Sequence, residues 1–87
     1  MEIKTIKEVL ENLESKYHSR EGYATSQILN ELHLKANREN EKLLRAKLRS
    51  MMSKNLYPEF ATAGSEDVVY SPRGKGSGLY RLSKYRG

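Results

Sequence analysis

Residues 37–54 read NRENEKLLRAKLRSMMSK. The stretch contains neither Gly nor Pro and is rich in helix-forming residues. At about 100° per residue, Leu44, Leu48, Met51 and Met52 share one side, and Arg38, Lys42, Arg45 and Arg49 share the other. The spacing predicts a helix over about 38–54, with an apolar face for a core and a basic face for a polyanion. Asn37 suits the N-cap, because its side-chain oxygen accepts from an unpaired N–H of the first turn. Glu39 and Glu41 complement the positive end of the helix dipole, and so weaken the claim of that first turn on phosphates. Glu41 also precedes Arg45 by four residues, the spacing of an ordinary surface ion pair.

Upstream, SQILNELHL (26–34) predicts a short helix over about 26–33. Thr25 serves as its cap, Ile28, Leu29 and Leu32 point inward, and Leu34 plugs the following turn. Only Lys35 and Ala36 separate this segment from Asn37. A short helix, a tight turn and a long basic helix make a helix-turn-helix arrangement. Further back, KTIKEVLENLESKY (4–17) predicts a helix over about 5–17. Ile6, Val9, Leu10, Leu13 and Tyr17 form its buried stripe. Thr5 and Glu8 form a capping box, and Glu8, Glu11 and Glu14 lie largely outside the stripe. The acidity of this helix assigns it to scaffold. Residues 18–25 read as a loop that turns at Gly22, with Tyr23 and Ala24 facing inward.

Downstream, Pro58 pushes Tyr57 into an extended conformation. The segment EFATAGSED (59–67) reads as a short extended piece followed by a loop, with Phe60 in the core. The C-terminal segment DVVYS–PRGKGSG–LYRLS predicts a β-hairpin over about 67–83. Pro72, Gly74, Gly76 and Gly78 make its tip a long loop carrying Arg73 and Lys75, and Arg81, Lys84 and Arg86 follow. The fold class is therefore α+β, in a single domain spanning 1–87.

The chain has 87 residues, enough for one modest core. It lacks cysteine, which excludes disulfides and thiolate metal sites. No apolar run approaches the roughly 20 residues that span a bilayer, and the acidic, amphipathic N-terminus does not read as a signal peptide. These features suit a cytoplasmic protein, nucleoid-associated in a bacterium or nuclear in a eukaryote. The net charge is +5, unevenly placed. Residues 1–34 hold four Lys/Arg against six Asp/Glu, or −2. Residues 35–87 hold twelve against five, or +7. So basic a half points to nucleic acid.

A leading TIKEVLENL helix, the SQILNELHL–turn–basic helix unit and a closing GLYRLS strand after a basic glycine loop together resemble a winged-helix DNA-binding domain. The resemblance covers roughly residues 4–84. It is similar to the small winged-helix modules of some restriction-endonuclease-associated and chromatin-associated proteins. It departs from the common pattern in the length of LYPEFATAGSED (56–67) and in the acids of the third helix's first turn. The resemblance implies that the third helix enters the major groove and the wing touches phosphates. Carried over, Arg38, Lys42, Arg45 and Arg49 match the recognition helix, and Arg73 and Lys75 match the wing tip.

Arginine pairs bidentately with guanine, and asparagine with adenine, through donors and acceptors that project from a helix. Arg38, Arg45 and Arg49 are the guanine candidates and Asn40 the adenine candidate, although helix-start hydrogen bonding is the commoner use of such an asparagine. Arg81, behind the wing, is a further DNA-binding candidate, and Tyr85 is another candidate contact. GKGSG (74–78) precedes a strand and lacks the P-loop pattern. His18 and His33 have no partners at metal-ligand spacing, and no nucleophile–base pair stands out, so neither a cofactor, a metal nor catalysis is expected. The reading is a duplex-DNA binder, a small transcriptional regulator. Paired copies on two half-sites would suit it, meeting through the first helix or 56–66. The alternative is a protein-interaction winged helix, an adaptor or inhibitor whose basic face meets an acidic partner.

Overall fold

The computed structural model describes residues 1–52, 68–74 and 76–85. The expectations for Phe60, the extended piece 59–62 and Lys75 fall outside them. Three helices, α1 (Ile3–Tyr17), α2 (Thr25–Glu31) and α3 (Arg38–Met52), are joined by a small antiparallel sheet. Its strands are β1 (Tyr23–Ala24), β2 (Val69–Tyr70) and β3 (Leu79–Leu82), and a 3-10 turn, Ser83–Tyr85, follows β3. Strand β3 lies in the middle, in the order β1–β3–β2. The chain is thus α+β, with a C-terminal hairpin set behind a helix-turn-helix.

Helix α1 begins two residues before the expected start. Glu2 holds the N-cap position in extended conformation without a side-chain cap, and its carbonyl accepts from the Ile6 N–H at 3.1 Å. Thr5 is therefore inside the helix, and the Thr5–Glu8 box does not form. Ile3 packs against the core, which accounts for the earlier start. Ile6, Val9, Leu10 and Leu13 are buried as their spacing requires. Tyr17 is not, at 60 % exposed, because α1 ends there: His18 takes the left-handed conformation (φ 48°).

The loop then returns as β1, a strand too short to register in the pattern. Tyr23 pairs with Tyr80 and Ala24 with Leu79. This pairing holds Ala24 extended, so Ala24, not Thr25, is the N-cap of α2, and Gln27 Oε1 accepts from its N–H at 3.1 Å. Ile28 and Leu29 reach the core, whereas Leu34, expected to plug the turn, is exposed.

One cluster of buried side chains draws on every element: Ile6, Val9, Leu10 and Leu13 from α1, Tyr23 from β1, Ile28 and Leu29 from α2, Leu44, Leu48 and Met51 from α3, and Val69 and Leu82 from the hairpin. The Val68 N–H donates to the Met51 carbonyl (3.0 Å) and the Ser83 N–H to the Val68 carbonyl (2.8 Å), tying the hairpin base to the last turn of α3.

Gly22 has two reasons to be glycine. Its φ is +93°, and a Cβ there would lie 3.0 Å from the Tyr80 carbonyl oxygen and 3.1 Å from the Tyr80 nitrogen, all backbone atoms of β3. Gly22→Ala combines backbone strain with a clash that no side-chain movement relieves. It is expected to lower unfolding free energy by about 2 kcal/mol or more in urea denaturation; a change below about 0.5 kcal/mol would contradict the close approach.

Candidate nucleic-acid interface

The angle of α3 is set by the turn that precedes it. The His33 N–H donates to the Asn30 carbonyl (3.1 Å) and the Leu34 N–H to the Leu29 carbonyl (2.9 Å), with His33 at φ 60°. This is the pattern that ends a helix through one left-handed residue. Asn37 then caps α3 as expected: its Oδ1 accepts from the Asn40 N–H at 2.8 Å. Asn40, an adenine candidate for which helix-start hydrogen bonding is the commoner use, makes such a bond. Its Nδ2 donates to the Lys35 carbonyl at 2.8 Å, stapling the turn to the first turn of α3. An adenine reader needs that same amide group free.

Leu44 and Leu48 are fully buried and Met51 nearly so. Arg38, Lys42, Arg45 and Arg49 are exposed on the outer side of α3. Among the described residues none of the four makes an ion pair. The expected Glu41–Arg45 pair does not form; a Glu41 carboxylate oxygen sits 3.5 Å from the Thr25 hydroxyl instead. From Arg38 to Arg49 is about 16 Å along the axis at about 1.5 Å per residue.

At the hairpin tip, Ser71–Gly74 form a turn closed by the Gly74 N–H on the Ser71 carbonyl (3.0 Å). Proline in the second position and glycine in the fourth favour it. Arg73, a wing-tip candidate, pairs with Glu21 of the α1–β1 loop at 2.8 Å. Both side chains are more than half exposed, so water screens the pair and an incoming anion can replace the carboxylate.

Arg81 departs from expectation. Its Nε donates to Glu14 Oε1 at 2.5 Å and its Nη2 to Glu14 Oε2 at 3.0 Å, with side chains only 11 % and 2 % exposed. Its Nη1 donates to the Tyr85 carbonyl at 3.1 Å. A guanidinium so enclosed is not presented to DNA. Glu14, expected outside the buried stripe of α1, is buried because β3 brings this cation to it. The tail behaves likewise: the Tyr85 hydroxyl donates to Glu11 Oε2 at 2.6 Å, Lys84 pairs with Glu11, and both cations lie over the Tyr85 ring at 5.6 Å (Arg81) and 5.4 Å (Lys84). Tyr85 is thus an anchor in this structure and not a free contact.

Hydrogen bonds from Arg81 hold the Glu14 carboxyl below its ordinary value against the opposing effect of burial, with a smaller contribution from the Tyr23 hydroxyl. Lys84 and then Tyr85 do the same for Glu11. Among the described residues no group of three or more His, Asp or Glu is placed to hold a metal ion, and no helix is long and apolar enough to cross a membrane.

Against known proteins, the chain matches no family model, no curated sequence and no solved structure.

The Glu14–Arg81 pair generates a stability prediction. A carboxyl lowered in the folded state stabilises above its unfolded pKa of about 4.3, and that contribution is lost as pH falls through the folded value. Wild-type stability should therefore fall on acidification below about pH 4.5. Glu14→Gln should cost about 3–5 kcal/mol at pH 7, since it leaves a buried guanidinium unpaired, and should flatten the acid limb. Urea melts between pH 3 and pH 7 check both; equal acid sensitivity in the two proteins would remove Glu14 from the account.

Proposed function

We propose that this protein binds double-stranded DNA as a small winged-helix regulator. In this reading α3 lies in the major groove and the hairpin tip rests on the phosphate backbone. One observation carries it: four cations share one exposed face of α3. Of the paired cations, Arg81 is enclosed with Glu14, and Lys16 and Lys84 meet Glu31 and Glu11 at the surface. Arg38, Lys42, Arg45 and Arg49 stay exposed on one face of one helix, unpaired among the described residues.

Dimensions support the reading. A helix about 10–12 Å across fits a groove about 12 Å wide. The cationic face of α3 spans about 16 Å, close to five base pairs at ~3.4 Å each. A helix-turn-helix backed by a hairpin supplies two contact points, the outer side of α3 and the loop bearing Arg73 and Lys75. A regulator of this kind works wherever the cell keeps its DNA.

Fluorescence anisotropy with mixed-sequence duplexes tests the proposal. Binding should weaken with salt along a log–log slope of about −4 to −5, for four to six neutralised phosphates. The double charge reversal Arg45→Glu/Arg49→Glu should abolish binding without changing the helical circular dichroism spectrum. A wild-type protein that ignores duplex DNA at low salt, yet is captured by an acidic protein surface, would overturn it in favour of the protein-interaction reading.

A further inference from the structure

The outer surface of α3 is not uniformly basic. Glu39, Leu43 and Ala46 are spaced by four and then three residues, so they form a stripe of their own beside the arginines. Lys42, four residues before Ala46, borders both stripes. All four residues are exposed. Leu43 is 53 % exposed, whereas Leu44 and Leu48 of the same helix are at 0 %. The core takes its contacts from Leu44, Leu48 and Met51, and the exposure of Leu43 leaves much of an apolar side chain in water.

This stripe has the wrong chemistry for a phosphate backbone. A carboxylate repels phosphate, and two apolar side chains neutralise nothing. A major groove offers it better partners. The C5-methyl of thymine is the apolar group displayed there, and the N4 amino group of cytosine donates to a carboxylate. The arginine stripe can supply affinity for any duplex. The Glu39 stripe is suited to discrimination, partly by repulsion, since a carboxylate set against the acceptor edge of guanine is unfavourable.

We infer that Leu43 and Ala46 read the 5-methyl group of thymine, with Glu39 on the amino group of a nearby cytosine, so that this stripe sets sequence preference. The inference rests on the duplex-binding reading above. Leu43 stands about 6 Å from Glu39 and about 4.5 Å from Ala46 along the axis, or one to two base steps of ~3.4 Å. The preferred site therefore holds a thymine within about two base pairs of a cytosine.

The experiment begins with selection of the preferred duplex from a random pool by the full chain. Each thymine of that duplex is then replaced singly by deoxyuridine, which removes only the methyl group. At one or two positions wild-type affinity should drop about three- to five-fold, the loss expected for one buried methyl. In Leu43→Ser/Ala46→Ser the same replacements should have no effect, because the partner side chains are gone. Both residues are exposed, so that variant should keep the wild-type helical spectrum. Deoxyuridine without effect at every position, equal losses in the variant, or a selected site without thymine would each overturn the inference while duplex binding stood. Failure to enrich any duplex, with Arg45→Glu/Arg49→Glu indistinguishable from wild type, would overturn the binding reading and the inference together.

Discussion

The buried pair between Glu14 and Arg81 joins residues 67 apart in sequence and fixes where the hairpin sits on the helices. Two charges cannot leave water singly, so the carboxylate on α1 and the guanidinium on β3 must arrive together. This constrains register: a slip of one residue along β3 would carry Arg81 to the opposite face of the sheet and leave both charges without partners. The pairings of Val69 with Leu82 and of Tyr70 with Arg81 are the ones that satisfy it. Such a pair need not stabilise more than a well-packed apolar one would, but it penalises other arrangements heavily.

The same interaction decides which cations remain available. By sequence alone the C-terminal half carries +7, and its basic residues look interchangeable. Folding separates them. The acids of α1 neutralise Arg81 and Lys84, while the cations of α3 meet no carboxylate among the described residues. Arg73 falls between these cases, in a solvent-screened pair with Glu21. The acidic first helix thus takes up Arg81 and Lys84, and four cations remain side by side on one face of α3, while Lys4, Lys7, Arg20, Lys35 and Lys47 are exposed elsewhere.

Periodicity made the local elements legible. The apolar stripe of α3, its cap at Asn37, the inward residues of α2 and the hairpin strands all follow from patterns within a few residues, and the structure keeps them. What stayed illegible came from pairings between distant segments. Nothing near Glu14 marks it as buried, because the cause lies on β3. Strand β1 has two residues and exists only because Tyr80 and Leu79 lie opposite. That pairing in turn moves the α2 cap from Thr25 to Ala24. Asn40, by contrast, makes the helix-start hydrogen bond that its position favours, its amide reaching the nearby Lys35 carbonyl. Of the candidate site, the arginines of α3 could be found by helical phase, whereas the removal of Arg81 from it could not.

This division of arginines between core and surface can be followed directly by arginine side-chain nitrogen NMR. On addition of a DNA duplex, the Nε–H signals of Arg45 and Arg49 should shift with binding, while that of Arg81, held against Glu14, should stay where it was. An Arg81 signal that moves with the duplex while Arg45 and Arg49 remain unchanged would contradict the account.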